Sequence, residues 1–421
     1  MKKITIIGGG PAGYAAALYA NNFDLDVTLI ESDVLGGTCL NRGCIPAKYW
    51  LHVAELNHEI ENANDYGIEI NQKNINWANT TNKRNEIVNK LVSGIGTLLK
   101  SKKVNVIEGW GQIESKNVVV VKKENGEEEK IASDYVLLAT GSQPRGLPNL
   151  EFDNNFIINS DTALNWDEPP KKVCIVGAGA IGCEFASLLV DLDSEVTVVE
   201  LEEEILPGLD KRTSAELRKQ LTKRGVNFKL KTSIESVDNN ELVFSDGEKE
   251  NFDSVLVAIG RQPFTQNIGL DNVGISNENG FIEVDLETMQ TSTANIYALG
   301  DIVKDTPQLA HVAFAEAIAA VTHIATGEKS PVNYSAIPYV VYTNPELAEV
   351  GTNSDKAKVN ELNISQSQHS FVGVGRALIQ NQNQGVVKVY AEENGPIVGA
   401  SVCGPSAGEL IHELMYMVGW E

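Results

Sequence analysis

No stretch of the 421-residue sequence offers the ~20 uninterrupted apolar residues that a membrane-spanning helix needs, so no membrane partner is expected. Basic charge is equally scarce. The 34 Lys and Arg face 57 Asp and Glu, leaving a formal net charge of −23. Nucleic-acid and anionic-lipid surfaces both need a basic face, so neither partner is expected. The acidity suits simple solubility or a basic protein partner. Cysteine is sparse as well. Cys39, Cys44, Cys174, Cys183 and Cys403 are too few for a disulfide framework in a chain of this length. A close pair in a reducing compartment is then expected to be redox-active or metal-binding. The opening MKKITIIGGG enters a buried-strand pattern at once, which predicts no signal or transit segment and a cytoplasmic location.

What is present is a globular composition, 42% apolar and 22% charged, in a chain long enough for two to four domains. Ile4 to Ile7 is a short apolar run followed by Gly8-Gly9-Gly10-Pro11-Ala12-Gly13 and a helix-like stretch, Tyr14 to Ala20. A second run, Val27 to Ile30, ends at Glu31. This is strand, glycine turn, helix, strand, acid. The glycines at Gly8, Gly10 and Gly13 permit a tight turn and let backbone approach a pyrophosphate at the helix N-terminus, and the acid accepts from a ribose. The string recurs: Val173 to Val176, then Gly177-Ala178-Gly179-Ala180-Ile181-Gly182, a helix from Cys183, Val196 to Val199 and Glu200. The acid follows the last glycine by 18 residues in both copies. One GxGxxG is weak evidence, because glycine turns without ligands are common, but two in matching contexts predict two dinucleotide sites.

Further apolar runs close on glycine. Val136 to Leu138 leads into Ala139-Thr140-Gly141, and Val255 to Val257 into Ala258-Ile259-Gly260, each placed as a returning strand of its unit. A third run, Ile296 to Leu299, ends at Gly300-Asp301 and predicts a return of the chain to the first domain.

Between the fingerprints lies GGTCLNRGCIPAK, Gly36 to Lys48. Two cysteines five apart on a regular helix bond poorly, so a Cys39–Cys44 disulfide needs distorted backbone, which Gly43 can supply. Helical spacing follows Pro46, and a helix N-terminus with Lys48 nearby favours the reactive thiolate. A zinc site needs two more ligands and none lies near in sequence, so no metal is expected. Two inert core cysteines are the alternative.

This segment resembles the redox signature of the pyridine nucleotide–disulfide oxidoreductases, in a form closest to the dihydrolipoamide dehydrogenases among them. The resemblance continues through ATGSQPR (Ala139 to Arg145), IGCEFASLL (Ile181 to Leu189), EILPGLD (Glu204 to Asp210), AIGRQP (Ala258 to Pro263), YALGDI (Tyr297 to Ile302), LAHVAFAEA (Leu309 to Ala317) and YTNPELAEVG (Tyr342 to Gly351). It implies an α/β fold with two Rossmann-like dinucleotide-binding domains and a C-terminal α+β interface domain that is incomplete at its end. The implied divisions are 1–145 and 265–331 for FAD, 146–264 for NAD and 332–421 for the interface. The first fingerprint, Glu31, Thr140 and Gly141 would bind FAD, with Asp301 on its flavin side. The second fingerprint, Glu200 and Gly260 would take the nicotinamide dinucleotide. Cys39 would exchange with substrate and Cys44 lie beside the flavin. Lys48 would approach the reactive flavin nitrogen and pair with Glu184. His311 falls in the family's flavin-adjacent helix, where a packing role is preferred.

Glu200 is followed by Leu201-Glu202-Glu203-Glu204, and that acidic run would repel a 2′-phosphate, so NAD is expected over NADP. Near the end, Val386 to Tyr390 and Ile397 to Cys403 flank Asn394-Gly395, a hairpin signal. Gly404 to Glu409 then opens a helix whose Ile411, Leu414, Met415 and Val418 form one apolar face, expected to be exposed and to weaken dimerisation. In the family this helix leads to a His-Pro-Thr motif, whose histidine serves the partner subunit's dithiol. No such motif occurs here, and His52, His58, His323, His369 and His412 lack its context. The resemblance thus implies a homodimer, a lipoyl-bearing partner from a 2-oxo acid dehydrogenase complex or the glycine cleavage system, and impaired lipoamide turnover. The alternatives are a mercuric reductase, which would want a C-terminal cysteine pair, and a glutathione-type reductase, which would want a basic dinucleotide pocket. Beyond these stand a weakened flavoprotein serving as a binding module and a flavin oxidase.

Overall fold

The computed structural model describes residues 1–420 and divides the chain into two compact units. The first comprises residues 1–46, 82–143 and 261–332; the second comprises 47–81, 144–260 and 333 onward.

The first unit is built on a five-stranded parallel sheet. Its order is Ile296–Ala298, Tyr135–Leu138, Lys2–Ile7, Leu25–Glu31 and Asn105–Glu108. Strands covered on both faces read as continuous apolar runs, and Ile4, Ile6, Leu29, Leu137 and Leu138 are all buried. The late strand Ile296–Ala298 pairs with Val136 to Leu138, so the third glycine-ended run does return to the first sheet. Two helices, Pro11–Ala20 and Ala310–Thr326, pack together. Ala12, Ala16 and Ala20 on one and Ala313, Ala317 and Ala320 on the other are buried, and side chains this small let the helices approach closely. Pro11 sits at the first helical position, where its missing N–H costs nothing. A three-stranded antiparallel sheet, Trp110–Ser115, Val118–Lys122 and Glu128–Ala132, completes the unit.

The second unit repeats the plan. Its parallel sheet runs Asn227–Leu230, Glu195–Glu200, Lys172–Val176, Ser254–Val257 and Ile157–Ile158. An antiparallel sheet follows in the order Pro338–Val341, Glu346–Gly351, Ile397–Gly404, Val386–Glu392 and Ile364–Ser370. The hairpin at Asn394-Gly395 forms there, with Asn394 at a left-handed φ of 58°. Residues 47–81, contiguous in sequence with the first domain, belong to this unit instead. Trp50 is buried in its core and stacks near Trp77, and the Asn57 amide donates to the Asp191 carbonyl at 2.6 Å.

The terminal helix Ala407–Trp420 corrects the expectation of an exposed apolar face. Ile411 is fully buried, and Leu414, Met415 and Val418 pack with it against Ala348, Val350, Ala400 and Val402 of the antiparallel sheet. The sheet's own apolar face covers the helix. Its exposed large side chains are instead Leu410, Tyr416, Met417 and Trp420. Among the described residues no helix is long and apolar enough to cross a membrane.

Candidate active site

The two glycine turns are near-copies in three dimensions. Gly8 and Gly177 take positive φ values of 107° and 101°, which an L side chain rarely adopts. Each donates its N–H to the carbonyl closing the neighbouring strand, Ile30 and Val199, at 2.8 Å. Gly10 and Gly179 cap the helices Pro11–Ala20 and Ala180–Val190 with φ/ψ of −73°/−172° and −72°/−173°, and neither helix has a side-chain cap. A Cβ on Gly13 would lie 1.8 Å from the Gly8 carbonyl oxygen, and one on Gly182 1.9 Å from that of Gly177. Only glycine lets the helix start so close to the turn. The result in each unit is a bare backbone cradle at a helix N-terminus, which fits a pyrophosphate.

Both acids are fixed by backbone. Glu31 accepts from the Gly9 N–H at 2.6 Å and the Asp33 N–H at 2.8 Å. Glu200 accepts from the Ala178 N–H at 2.7 Å and the Glu202 N–H at 3.0 Å. These bonds hold each carboxylate at the lip of its cradle, where it could accept from ribose hydroxyls.

The dithiol stands against the first cradle. Gly36 donates its N–H to the Gly9 carbonyl at 2.9 Å, and a Cβ on Gly37 would meet Gly10 Cα at 2.6 Å. Gly37–Arg42 then forms a short helix carrying Cys39, which is half-buried. Gly43, at φ −147° and ψ −115°, breaks it, and Cys44 opens a new helix, Cys44–Glu61, in an exposed position. The helix thus begins at Cys44 itself rather than after Pro46. Tyr14 lies beside the pair: burial, and then the negative charge of Cys39 and Cys44, push its phenol up to about 12. The other cysteines, Cys174, Cys183 and Cys403, are buried, and burial drives their thiols far above the usual range. They are core residues with no reactive thiolate.

Lys48 is one turn along the helix that Cys44 opens. Its ammonium meets both carboxylate oxygens of Glu184, at 3.0 and 2.9 Å, and lies 4.3 Å from the Tyr342 ring centroid. Glu184 is buried and also accepts the Tyr342 N–H at 3.0 Å. In the first unit, Asp301 sits on a short turn after the edge strand. Ser142 donates to its Oδ2, the Gln308 amide donates to its carbonyl at 3.0 Å, and the fully buried Glu316 accepts the preceding Gly300 N–H at 2.6 Å. Thr140 donates to the Phe264 carbonyl at 2.6 Å, and Gly141 accepts the Phe264 N–H at 2.8 Å. Gly260 takes a φ of 104° and accepts the Arg145 N–H.

His311 is exposed in the first turn of Ala310–Thr326, whose packed face is its alanine stripe. Sequence reading missed Tyr342 over Lys48, and Arg261 and Ser142 beside Asp301. The runs YTNPELAEVG, ATGSQPR and AIGRQP contain all three, but linear spacing does not show that they meet Lys48 or Asp301. Among the described residues no three His, Cys, Asp or Glu side chains converge as a metal site.

Comparison with known proteins matches this geometry. Residues 2–317 fit the family model described as pyridine nucleotide-disulphide oxidoreductase, and residues 337–421 fit its dimerisation domain. The chain is 36% identical to a dihydrolipoyl dehydrogenase of Bacillus subtilis (strain 168), over 97% of this chain and 90% of that protein. It is 39% identical to the dihydrolipoyl dehydrogenase of Chlamydia trachomatis serovar D, over 98% and 89% respectively. The crystal structure of LpdA from Mycobacterium tuberculosis superposes with a TM-score of 0.92 at 28% identity, covering 100% of this chain and 93% of that one. The chain belongs to the pyridine nucleotide–disulphide oxidoreductases. Within that family it is an NAD-dependent flavoprotein oxidoreductase of the dihydrolipoyl dehydrogenase type, and its cofactors are FAD and NAD.

Proposed function

We propose that this enzyme oxidises dihydrolipoyl groups with NAD through a disulfide–dithiol cycle at Cys39 and Cys44. The observation that carries the reading is the placement of that pair, half-buried and exposed against the first glycine cradle, while the remaining three cysteines are sealed in cores. A dihydrolipoyl thiolate attacks Cys39 of the disulfide, forming a mixed disulfide and releasing Cys44 as thiolate. The second lipoyl thiolate then attacks the lipoyl sulfur bonded to Cys39, closing the cyclic disulfide and expelling Cys39 as thiolate. Two electrons and two protons leave the substrate, which becomes a cyclic disulfide. Gly8 to Gly13, Glu31, Thr140, Gly141 and Asp301 would hold FAD, which would supply the two-electron chemistry that links the dithiol to NAD. Gly177, Gly179, Gly182, Glu200 and Gly260 hold that nicotinamide cofactor. The N-terminus of Cys44–Glu61 favours the Cys44 thiolate. Lys48, steadied by Glu184 and Tyr342, supplies a fixed positive charge one turn away.

The substrate in the cell is then a lipoyl-bearing protein of a 2-oxo acid dehydrogenase complex or of the glycine cleavage system, in the cytoplasm, and the enzyme works as a homodimer through residues 333 onward. The relatives' names support the lipoyl group, and the dimerisation-domain match supports the dimer. The test is NADH formation from free dihydrolipoamide, with NADP, glutathione and Hg(II) as comparators. Oxidation of dihydrolipoamide with NAD, and at least ~10-fold less with NADP, is expected, since a repelled 2′-phosphate is worth a kcal/mol or more. Preferential reduction of glutathione disulfide or Hg(II) would assign the enzyme to another branch of its family.

A further inference from the structure

Arg261 follows directly on Gly260, and its guanidinium is inserted between two parts of the first site. Nε donates to Ser142 Oγ at 2.7 Å, and Nη2 donates to the Ser142 carbonyl at 2.6 Å and to Thr38 Oγ1 at 3.4 Å. Ser142 in turn donates to Asp301 Oδ2. A hydroxyl has one proton and a guanidinium accepts nothing. With Arg261 filling a lone pair of Oγ, the Ser142 proton has one acceptor to serve, the Asp301 carboxylate. The neighbour of Thr38 is Cys39.

We propose that Arg261 is a positioning residue that locks the dithiol segment, through Thr38, to the flavin-holding carboxylate Asp301, through Ser142. The inference rests on the site reading above, in which Asp301 holds the flavin side of FAD. One rigid cation fixes three things together. It sets the direction of the Ser142 hydroxyl, it leaves Oδ1 of Asp301 outside the serine's hydrogen bond, and it restrains the short helix that carries Cys39. Lysine cannot reproduce this, because a single ammonium lacks the planar fork that reaches Ser142 Oγ and its carbonyl together.

The test uses the FAD-loaded enzyme with Arg261→Gln, Arg261→Lys and Ser142→Ala. Three readouts apply: FAD affinity on reconstitution of the apoprotein, the long-wavelength thiolate–flavin absorbance after two-electron reduction, and dihydrolipoamide turnover. Ser142→Ala removes one small half-buried hydroxyl and keeps the test open if Arg261→Gln folds poorly. Arg261→Gln and Ser142→Ala are expected to weaken FAD binding and diminish or shift the band. Arg261→Gln should lower turnover by about 10²-fold, the cost of ångström-scale misplacement, and slow NADH-driven dye reduction much less. Arg261→Lys should fall between it and the parent. A parent-like band, FAD affinity and turnover in Arg261→Gln and Ser142→Ala would overturn the role of Arg261. Absence of the band from the parent itself would overturn the dithiol–flavin reading on which the proposal rests.

Discussion

Lys48 Nζ lies 2.9 Å from Glu184 Oε2 and 4.3 Å from the Tyr342 ring centroid, so its ammonium is held on two sides. Glu184 is buried in the helix Ala180–Val190, and Tyr342 follows the strand Pro338–Val341. Removing the carboxylate lets the lysine side chain wander from its place one turn along the helix that Cys44 opens. Glu184→Ala should slow NAD reduction by dihydrolipoamide about 10²-fold, as loss of positioning does. Tyr342→Phe keeps the ring and should stay near the parent rate, whereas Tyr342→Leu should not. Steady-state kinetics of the three variants decides this, and a parent-like Glu184→Ala would remove Lys48 from the account.

The matching cradles allow a paired test. In Gly13→Ala and Gly182→Ala the added Cβ meets a backbone carbonyl at 1.8 and 1.9 Å, so the turn itself must move. Such overpacking costs about 1–3 kcal/mol. Gly13→Ala should be purified with little FAD. Gly182→Ala should be yellow and accept electrons from dihydrolipoamide, yet pass few to NAD. Loss of FAD from Gly182→Ala, with retention in Gly13→Ala, would exchange the two assignments.

A buried network in the second unit joins Asp210, Lys388 and Tyr390. Asp210 caps the helix Lys211–Lys223, accepting from Arg212 and Thr213 N–H at 3.0 and 3.1 Å, and also accepts from Lys388 Nζ at 2.7 Å and from the Tyr390 hydroxyl. Burial alone would raise the Asp210 carboxyl, but Lys388, Tyr390 and the Thr213 amide outweigh it and hold it below the usual carboxylate range. A carboxyl depressed on folding contributes stability that is full above its unfolded value, near ~4, and is lost as pH falls through the lower folded value. Lys388→Met leaves that carboxylate buried without its cation and should cost about 3–5 kcal/mol at pH 7. The deficit should narrow below about pH 4, where Asp210 can take a proton. Denaturant titrations at both pH values measure it; a deficit that does not change with pH would mean that Lys388 acts by packing alone.

The local devices were legible in the sequence because their chemistry is local. A GxGxxG between a strand and a helix announces its own backbone, and Glu31 and Glu200 fall where the second strand must end. The Cys39–Cys44 spacing likewise implied distorted backbone at Gly43, though the helix expected after Pro46 begins at Cys44. Long-range partnership was not legible. Nothing in the spacing of Ser142, Arg261 and Asp301 shows that they meet: Ser142 and Asp301 follow neighbouring strands of a parallel sheet, and Arg261 reaches Ser142 because Arg261–Pro263 pairs with Ser142–Pro144, strands far apart in sequence. The terminal helix was misjudged for a related reason. Helical periodicity locates the apolar face of Ile411, Leu414, Met415 and Val418 but not the sheet that covers it.

The most direct test of the central claim is the anaerobic spectrum of the FAD-loaded enzyme on addition of NADH, in the parent, Cys39→Ser and Cys44→Ser. If Cys44 is the thiolate against the flavin and Cys39 the thiol that meets substrate, the reduced parent shows a long-wavelength charge-transfer band. Cys39→Ser then shows that band even before reduction, and Cys44→Ser never does. A band that survives in Cys44→Ser and vanishes in Cys39→Ser would contradict the assignment, and its absence from all three proteins would contradict the dithiol mechanism itself.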